Sequence, residues 1–203
     1  MANSWVLLKD ASTLASIASN SNDTLDTGTF AAKKHLFVRY FTSKTGGNLD
    51  CKIQFNGVTS AQYSERGRRY TSNTIANDLN VDRVGIEINI SSATRQSGIM
   101  TIENRVGSPK LAMIRMCDVG TYPPHRADIM GKWLPTSLDT QITSIQIQNS
   151  GSGSFDNPVE IQVWGTDTFT ATGSKAVNGT IFEESDTGKH YMFDASTGWT
   201  EVA

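Results

Sequence analysis

The sequence predicts an all-β chain, built as a β-sandwich or barrel with a small β-meander behind it. Short apolar runs alternate with polar residues at period two, turn-forming residues separate those runs at short intervals, and no segment sustains a helical period over several turns. Strands of that kind bury one face and wet the other, and roughly eight to ten of them at this spacing close into a sandwich or barrel.

Trp5 to Leu8 form the first expected strand. Residues 11–29 are polar, with Leu14, Ile17 and Leu25 spaced through them, and fit either a short helix or an extended arm. The run His35 to Phe41 is strongly β-prone. Lys44-Thr45-Gly46-Gly47-Asn48 is a turn signal, after which Cys51, Ile53 and Phe55 alternate with Lys52 and Gln54, completing an expected hairpin. Further stripes follow: Val84 to Ile90, Met100 to Val106, Ala112 to Cys117, Thr143 to Gln148 and Val159 to Trp164. Breaks such as Gly107-Ser108-Pro109 and Ser150-Gly151-Ser152-Gly153 set them apart.

Composition shifts after Gly165. Residues 1–165 are expected to form the sandwich and 166–178 a linker of small and polar residues. Residues 179–203 then hold three short strands, around Thr180 to Phe182, Lys189 to Phe193 and Trp199 to Val202. A meander of fewer than ~30 residues does not stand alone and needs a surface to pack on.

Hydrophobic residues make up 37% of the 203, low for a packed α/β enzyme and ordinary for sheets with one wet face. With 18 basic and 20 acidic residues the formal net charge is −2, so global electrostatics require neither a nucleic-acid nor a membrane partner. The opening Met1 to Asp10 shows no basic stretch followed by an apolar one, and no run reaches the ~18 apolar residues of a membrane span. Synthesis in the cytoplasm is therefore expected, and with it two free thiols, Cys51 and Cys117, buried as small apolar residues.

The residues that carry most enzyme chemistry lack the spacing that chemistry needs. His35, His125 and His190 belong to no HxH, HExxH or Cys/His cluster, so no metal or other cofactor is expected. No GxSxG elbow, Walker loop or strand-borne GxGxxG occurs. Glu87, Glu160 and Glu183 are the carboxylates a sandwich glycosidase would have to pair, and nothing in their spacing pairs them. The expectation is a binding protein and not an enzyme.

Candidate contacts come from charge and aromatics. Arg66, Arg68 and Arg69, bracketed by Tyr63 and Tyr70, form a compact basic cluster. It is either a solvated loop or a contact for an acidic protein patch, with Tyr70 alongside the guanidinium groups. Tyr122 and His125 sit in the Pro-stiffened stretch 121–126 and suit a surface contact. Trp133 lies in a short expected strand ended by Pro135 and reads either as core or as a contact, and Tyr191 and Trp199 are the aromatic candidates of the meander.

Two stretches of the main region carry a family likeness. TFAAKKHLFVRYFTSKTGGNLDCKIQFNG (29–57) and MGKWLPTSLDTQITSIQIQNSGSGSFDNPVEIQVWGTD (130–167) resemble a group of small virion proteins of tailed phages. The tail GTIFEESDTGKHYMFDASTGWTEVA (179–203), with Asp186-Thr187-Gly188-Lys189 and Trp199-Thr200-Glu201-Val202, is similar to a motif that ends many phage structural proteins. The resemblance implies a jelly-roll-like sandwich acting as a capsid decoration (cement) protein on the outer surface of the virion. Its partners would be the major capsid protein and further copies of itself, a trimer being the first choice. The alternative is a tail-fibre or receptor-binding component, with Tyr122, Trp133, Tyr191 or Trp199 stacking on host surface glycans.

Overall fold

The computed structural model describes residues 5–11, 24–45, 51–71, 74–88, 95–118, 126–149, 154–167, 181–184, 189–194 and 198–202. Every regular element among them is a β-strand, and every pairing is antiparallel. The chain divides into two compact units, Met1–Thr168 and Phe169–Ala203.

The first unit holds twelve strands: β1 (Val6–Asp10), β2 (Thr24–Asp26), β3 (His35–Thr45), β4 (Cys51–Phe55), β5 (Tyr63–Thr71), β6 (Thr74–Arg83), β7 (Ile86–Glu87), β8 (Arg95–Glu103), β9 (Lys110–Asp118), β10 (Arg126–Trp133), β11 (Ile145–Asn149) and β12 (Ser154–Thr166). They form an eight-stranded sheet in the order β1-β12-β3-β8-β9-β10-β5-β6 and a four-stranded sheet in the order β2-β11-β4-β7, stacked as a β-sandwich. Period two explains the stacking. On β9, Ala112, Ile114 and Met116 are buried while Leu111, Met113, Arg115 and Cys117 are exposed. On β10, Ala127, Ile129 and Trp133 are buried while Met130 and Lys132 are exposed.

The buried faces meet in one core containing Tyr40, Ile53, Phe55, Tyr63, Ile86 and Trp133. Each buried Ile or Phe contributes roughly 1.5–3 kcal/mol of transfer free energy, offset against the entropy of ordering it. Burial raises the pKa of the Tyr40 phenol well above its usual value and pushes that of Tyr63 up to about 12, with the Phe55 backbone bond opposing the shift at Tyr63. The core is tight enough to dictate glycine at Gly98 on β8, where a Cβ would lie 2.3 Å from Cζ of Tyr40. Gly98→Ala is expected to cost about 1–2 kcal/mol, read from urea denaturation. Gly131→Ala on β10 should cost less, because its nearest contact, at 2.3 Å, is the Cδ1 end of the Ile86 side chain and not a ring.

Side-chain polar groups fasten one end of the sandwich. Asn104 is fully buried; its amide donates to the carbonyls of Lys33 and Ile142 and its Oδ1 accepts from Ile142 N at 2.7 Å. Asn56, at a φ of 54° in an Asn-Gly turn, accepts from the backbone nitrogens of Thr143 and Ser144. The ammonium of Lys110, also fully buried, donates to the carbonyls of Arg105, Ser108 and Leu138. Irregular segments 104–109 and 134–144 are thereby ordered without regular pairing.

Several expectations are corrected. The basic cluster at 66–69 is not a loop but part of β5. Of the stripe expected from Val84 to Ile90, only Ile86–Glu87 form a strand among the described residues, 89–90 lie outside them, and the carbonyl of Val84 is taken by the Gln54 side chain at 2.7 Å. Both cysteines are free, but only Cys51 is buried; Cys117 falls on the exposed alternation of β9. Of the polar stretch 11–29, residues 24–26 are the strand β2, and 12–23 lie outside the described residues.

The second unit is a three-stranded antiparallel sheet of β13 (Ile181–Glu184), β14 (Lys189–Asp194) and β15 (Gly198–Val202), in that order. Lys189 on β14 pairs with Glu201 on β15 at 3.1 Å. Most of the expected linker, from residue 168 on, lies outside the described residues.

Candidate functional site

The outer face of the eight-stranded sheet carries a groove. Antiparallel register sets residues from four adjacent strands side by side in two rows. Thr101 on β8 stands opposite Met113 on β9, Met113 opposite Met130 on β10, and Met130 opposite Arg66 on β5. In the second row Ile99 stands opposite Arg115, Arg115 opposite Asp128, and Asp128 opposite Arg68. Directly opposed side chains in such pairs lie within reach of one another. Together the rows line a groove of about 720 Å³, a size that accommodates a drug-sized ligand or a short stretch of chain.

Its floor is apolar and wet. Met130 is 67% exposed, Met113 60% and Ile99 43%. Isolated exposed apolar residues need no explanation, but these are neighbours across three strands. The first row continues beyond the groove, with Thr101 opposite Phe37 on β3, Phe37 opposite Trp164 on β12 and Trp164 opposite Leu7 on β1. Phe37 and Trp164 lie 5.7 Å apart and Trp5 meets Phe37 edge-on at 6.4 Å, so an apolar and aromatic band crosses the sheet.

The walls are cationic. Arg66, Arg68 and Arg115 line the groove against the carboxylate of Asp128. Asp128 accepts from Arg115 Nε at 2.9 Å and is paired with Arg126 at 3.2 Å. Arg115 is exposed, so this pair adds little stability; what it does is hold a guanidinium beside Asp128 in the lining of the groove. The chain as a whole carries a net charge of −2, yet this face is basic.

The residues singled out by sequence separate on this frame. Arg66 and Arg68 both face the groove. Arg69 and Tyr70 lie on β5, but their side chains are outside the described residues, as are Tyr122 and His125 altogether. Of the two readings of Trp133 the core one holds and the contact one is corrected: it is 1% exposed, stacked on Tyr63 at 6.2 Å and packed on Phe55 at 5.8 Å. Tyr191 is half-buried on β14, and Trp199 lies on β15 with its side chain outside the described residues. Glu87 and Glu160 stand on different sheets. His35 is buried with Nδ1 2.8 Å from Glu103, and no group of three or more His, Cys, Asp or Glu that could hold a metal occurs among the described residues.

Met113, Arg115, Asp128, Met130 and Ile99 are the groove residues that sequence reading passed over. Their signal was available in part: Met113 and Met130 are large apolar residues on the wet side of a period-two stripe. No protein-family model, curated protein or solved structure matches the chain.

Proposed function

We propose that the chain is a capsid decoration protein of a tailed phage, a jelly roll that attaches to the outer shell through the exposed face of its larger sheet. The observation that carries the reading is that groove: an open, apolar and basic surface across four strands is suited to holding another macromolecule and offers no enclosed chamber for a reaction. The strand order supports the jelly-roll part of the proposal. With the hairpins β5-β6 and β9-β10 set aside, the remaining strands pair as β1-β12-β3-β8 and β2-β11-β4-β7, and successive strands in the chain alternate between the two sheets except at β4 and β7, which pair with each other in the smaller sheet. That is the order expected of a double Greek key, an architecture shared by capsid and lectin domains. Fold analogy alone carries no function. The two hairpins matter more, because they widen one sheet and supply three of the four strands that line the groove.

Binding to the assembled lattice and not to separate subunits would stabilise the shell by linkage. Repetition of the contact over many equivalent sites would make a modest single interaction strong, and a trimer is the oligomer that suits threefold sites on such a shell. Quantitative gel analysis of purified particles, together with particle imaging, tests the proposal. The expected result is a copy number comparable with that of the major capsid protein and density on the outside of the head. A handful of copies with density on the tail would overturn it in favour of a fibre or receptor-binding component.

A further inference from the structure

We infer that the groove takes an extended acidic segment of a partner protein, one in which carboxylates alternate with apolar side chains. The inference rests on attachment through this face and names the chemistry that the face selects. Arg66 and Arg68 are alternate residues of β5, so they stand about 7 Å apart along the strand direction. Alternate side chains of any extended segment running along β5 have that same spacing. Arg115 lies two strands away from Arg68, across Asp128, at about 10 Å. Between these charges lie Met113 and Met130, unbranched side chains that adapt to apolar groups of varied shape. Carboxylates can thus reach guanidinium groups on either side while apolar side chains of the same segment cover the methionines. Planar guanidinium suits a carboxylate because both its hydrogen bonds can be made at once.

Two other occupants fit less well. A second copy of this face laid on the first would set arginine against arginine, since a twofold contact pairs a surface with itself. A nucleic-acid strand would bring phosphate up to Asp128 and would find in the groove methionines and an isoleucine where base stacking needs aromatic rings.

The full chain can report on this directly. Cys117 is exposed on the same face as the groove and Cys51 is buried, so a maleimide dye placed on Cys117 senses occupancy. Four probes are titrated: an Asp/Leu alternating octapeptide, an Asp/Ser octapeptide, a Lys/Leu octapeptide and an oligothymidylate. The Asp/Leu peptide is expected to bind at least tenfold more tightly than the other three, with affinity falling as salt rises. Arg66→Glu with Arg68→Glu should weaken it roughly tenfold or more, and Met130→Gln severalfold, with melting temperatures unchanged because all three side chains are exposed. Equal binding of oligothymidylate, equal binding of Asp/Ser, or full binding by both variants would overturn the inference. The capsid reading is tested apart from it by sedimenting wild-type protein with purified shells. Peptide binding without attachment to shells would overturn the capsid reading and leave the groove assignment standing, whereas attachment that survives the arginine reversal would overturn the groove assignment alone.

Discussion

Trp133→Ala is expected to lower the melting temperature of the sandwich by roughly 8–16 °C while leaving the groove able to bind. The indole is 1% exposed and closes a three-ring cluster with Tyr63 and Phe55, and its Nε1 donates to Gln62 at 3.2 Å. Truncating a buried tryptophan removes its transfer free energy and leaves a cavity, at a cost of about 4 kcal/mol. For a domain of this size each kcal/mol corresponds to about 2–4 °C. Trp133→Phe should cost much less, because a ring still meets Tyr63 and Phe55 and only the bond to Gln62 is lost. Its neighbours on β10, Met130 and Lys132, point the other way, so peptide binding by the folded fraction should match wild type at a temperature well below the transition. Calorimetry with the Cys117 dye titration separates the two effects. A variant that melts like wild type but no longer binds would put Trp133 back on the surface.

The same residue shows where sequence reading stops. Period two on β9 and β10 was plain in the letters, since Ala112, Ile114 and Met116 mark one face and Met113, Arg115 and Cys117 the other. Strands with such stripes were legible because hydrophobic burial alone sets them. β5 and β6 were not, for a physical reason. Residues 63–71 and 74–83 hold few apolar side chains, and these strands are held by backbone ladder bonds to a sheet already formed by others. Buried polar groups hide the pattern further: Glu65 is 3% exposed and accepts from the backbone nitrogen of Glu87 on the facing sheet. A tight run of arginines without a stripe therefore reads as loop.

The groove was half legible. Charge density picked out Arg66 and Arg68 on β5. Their apolar neighbours come from β8, β9 and β10, and only register across the ladder brings Ile99, Met113 and Met130 beside them. Register is a property of pairing between distant segments, here between residues 66–68 and 113–130, and no local pattern encodes which strands become neighbours. Trp133 and Met130 lie on one strand in a stretch that reads either as core or as a contact, and the odd separation between them sends one inward and the other to solvent.

Lys110→Met is the second substitution with a large expected cost, about 2–3 kcal/mol or roughly 5–10 °C, and it acts through polar groups although the residue stands opposite Trp133. Lys110 opens β9 on its inward face, where a Met of similar length would fill much the same space. What the ammonium does is bind the carbonyls of Arg105, Ser108 and Leu138, which belong to two separate irregular segments. Hydrogen bonds to a charged donor contribute more than neutral ones, and three carbonyls lose theirs together. The turn 104–108 and the segment around Leu138 would then separate, although Gly107 N still donates to Leu138 O at 3.1 Å. A pH series reads what burying the charge costs against the bonds it makes. Burial lowers the proton affinity of this amine below the ordinary lysine value, Asp139 opposing, so the unfolded chain holds the proton more tightly than the folded one. Stability therefore rises with pH between the lowered folded value and the ordinary 10.5, relative to a chain without the amine. The stability gap between wild type and Lys110→Met should widen over that window, and subtracting one melting curve from the other removes the tyrosines that titrate in the same range. A variant as stable as wild type would mean that the carbonyls find water as readily as they found the ammonium, and a gap flat with pH would mean that burial does not lower the proton affinity of this amine.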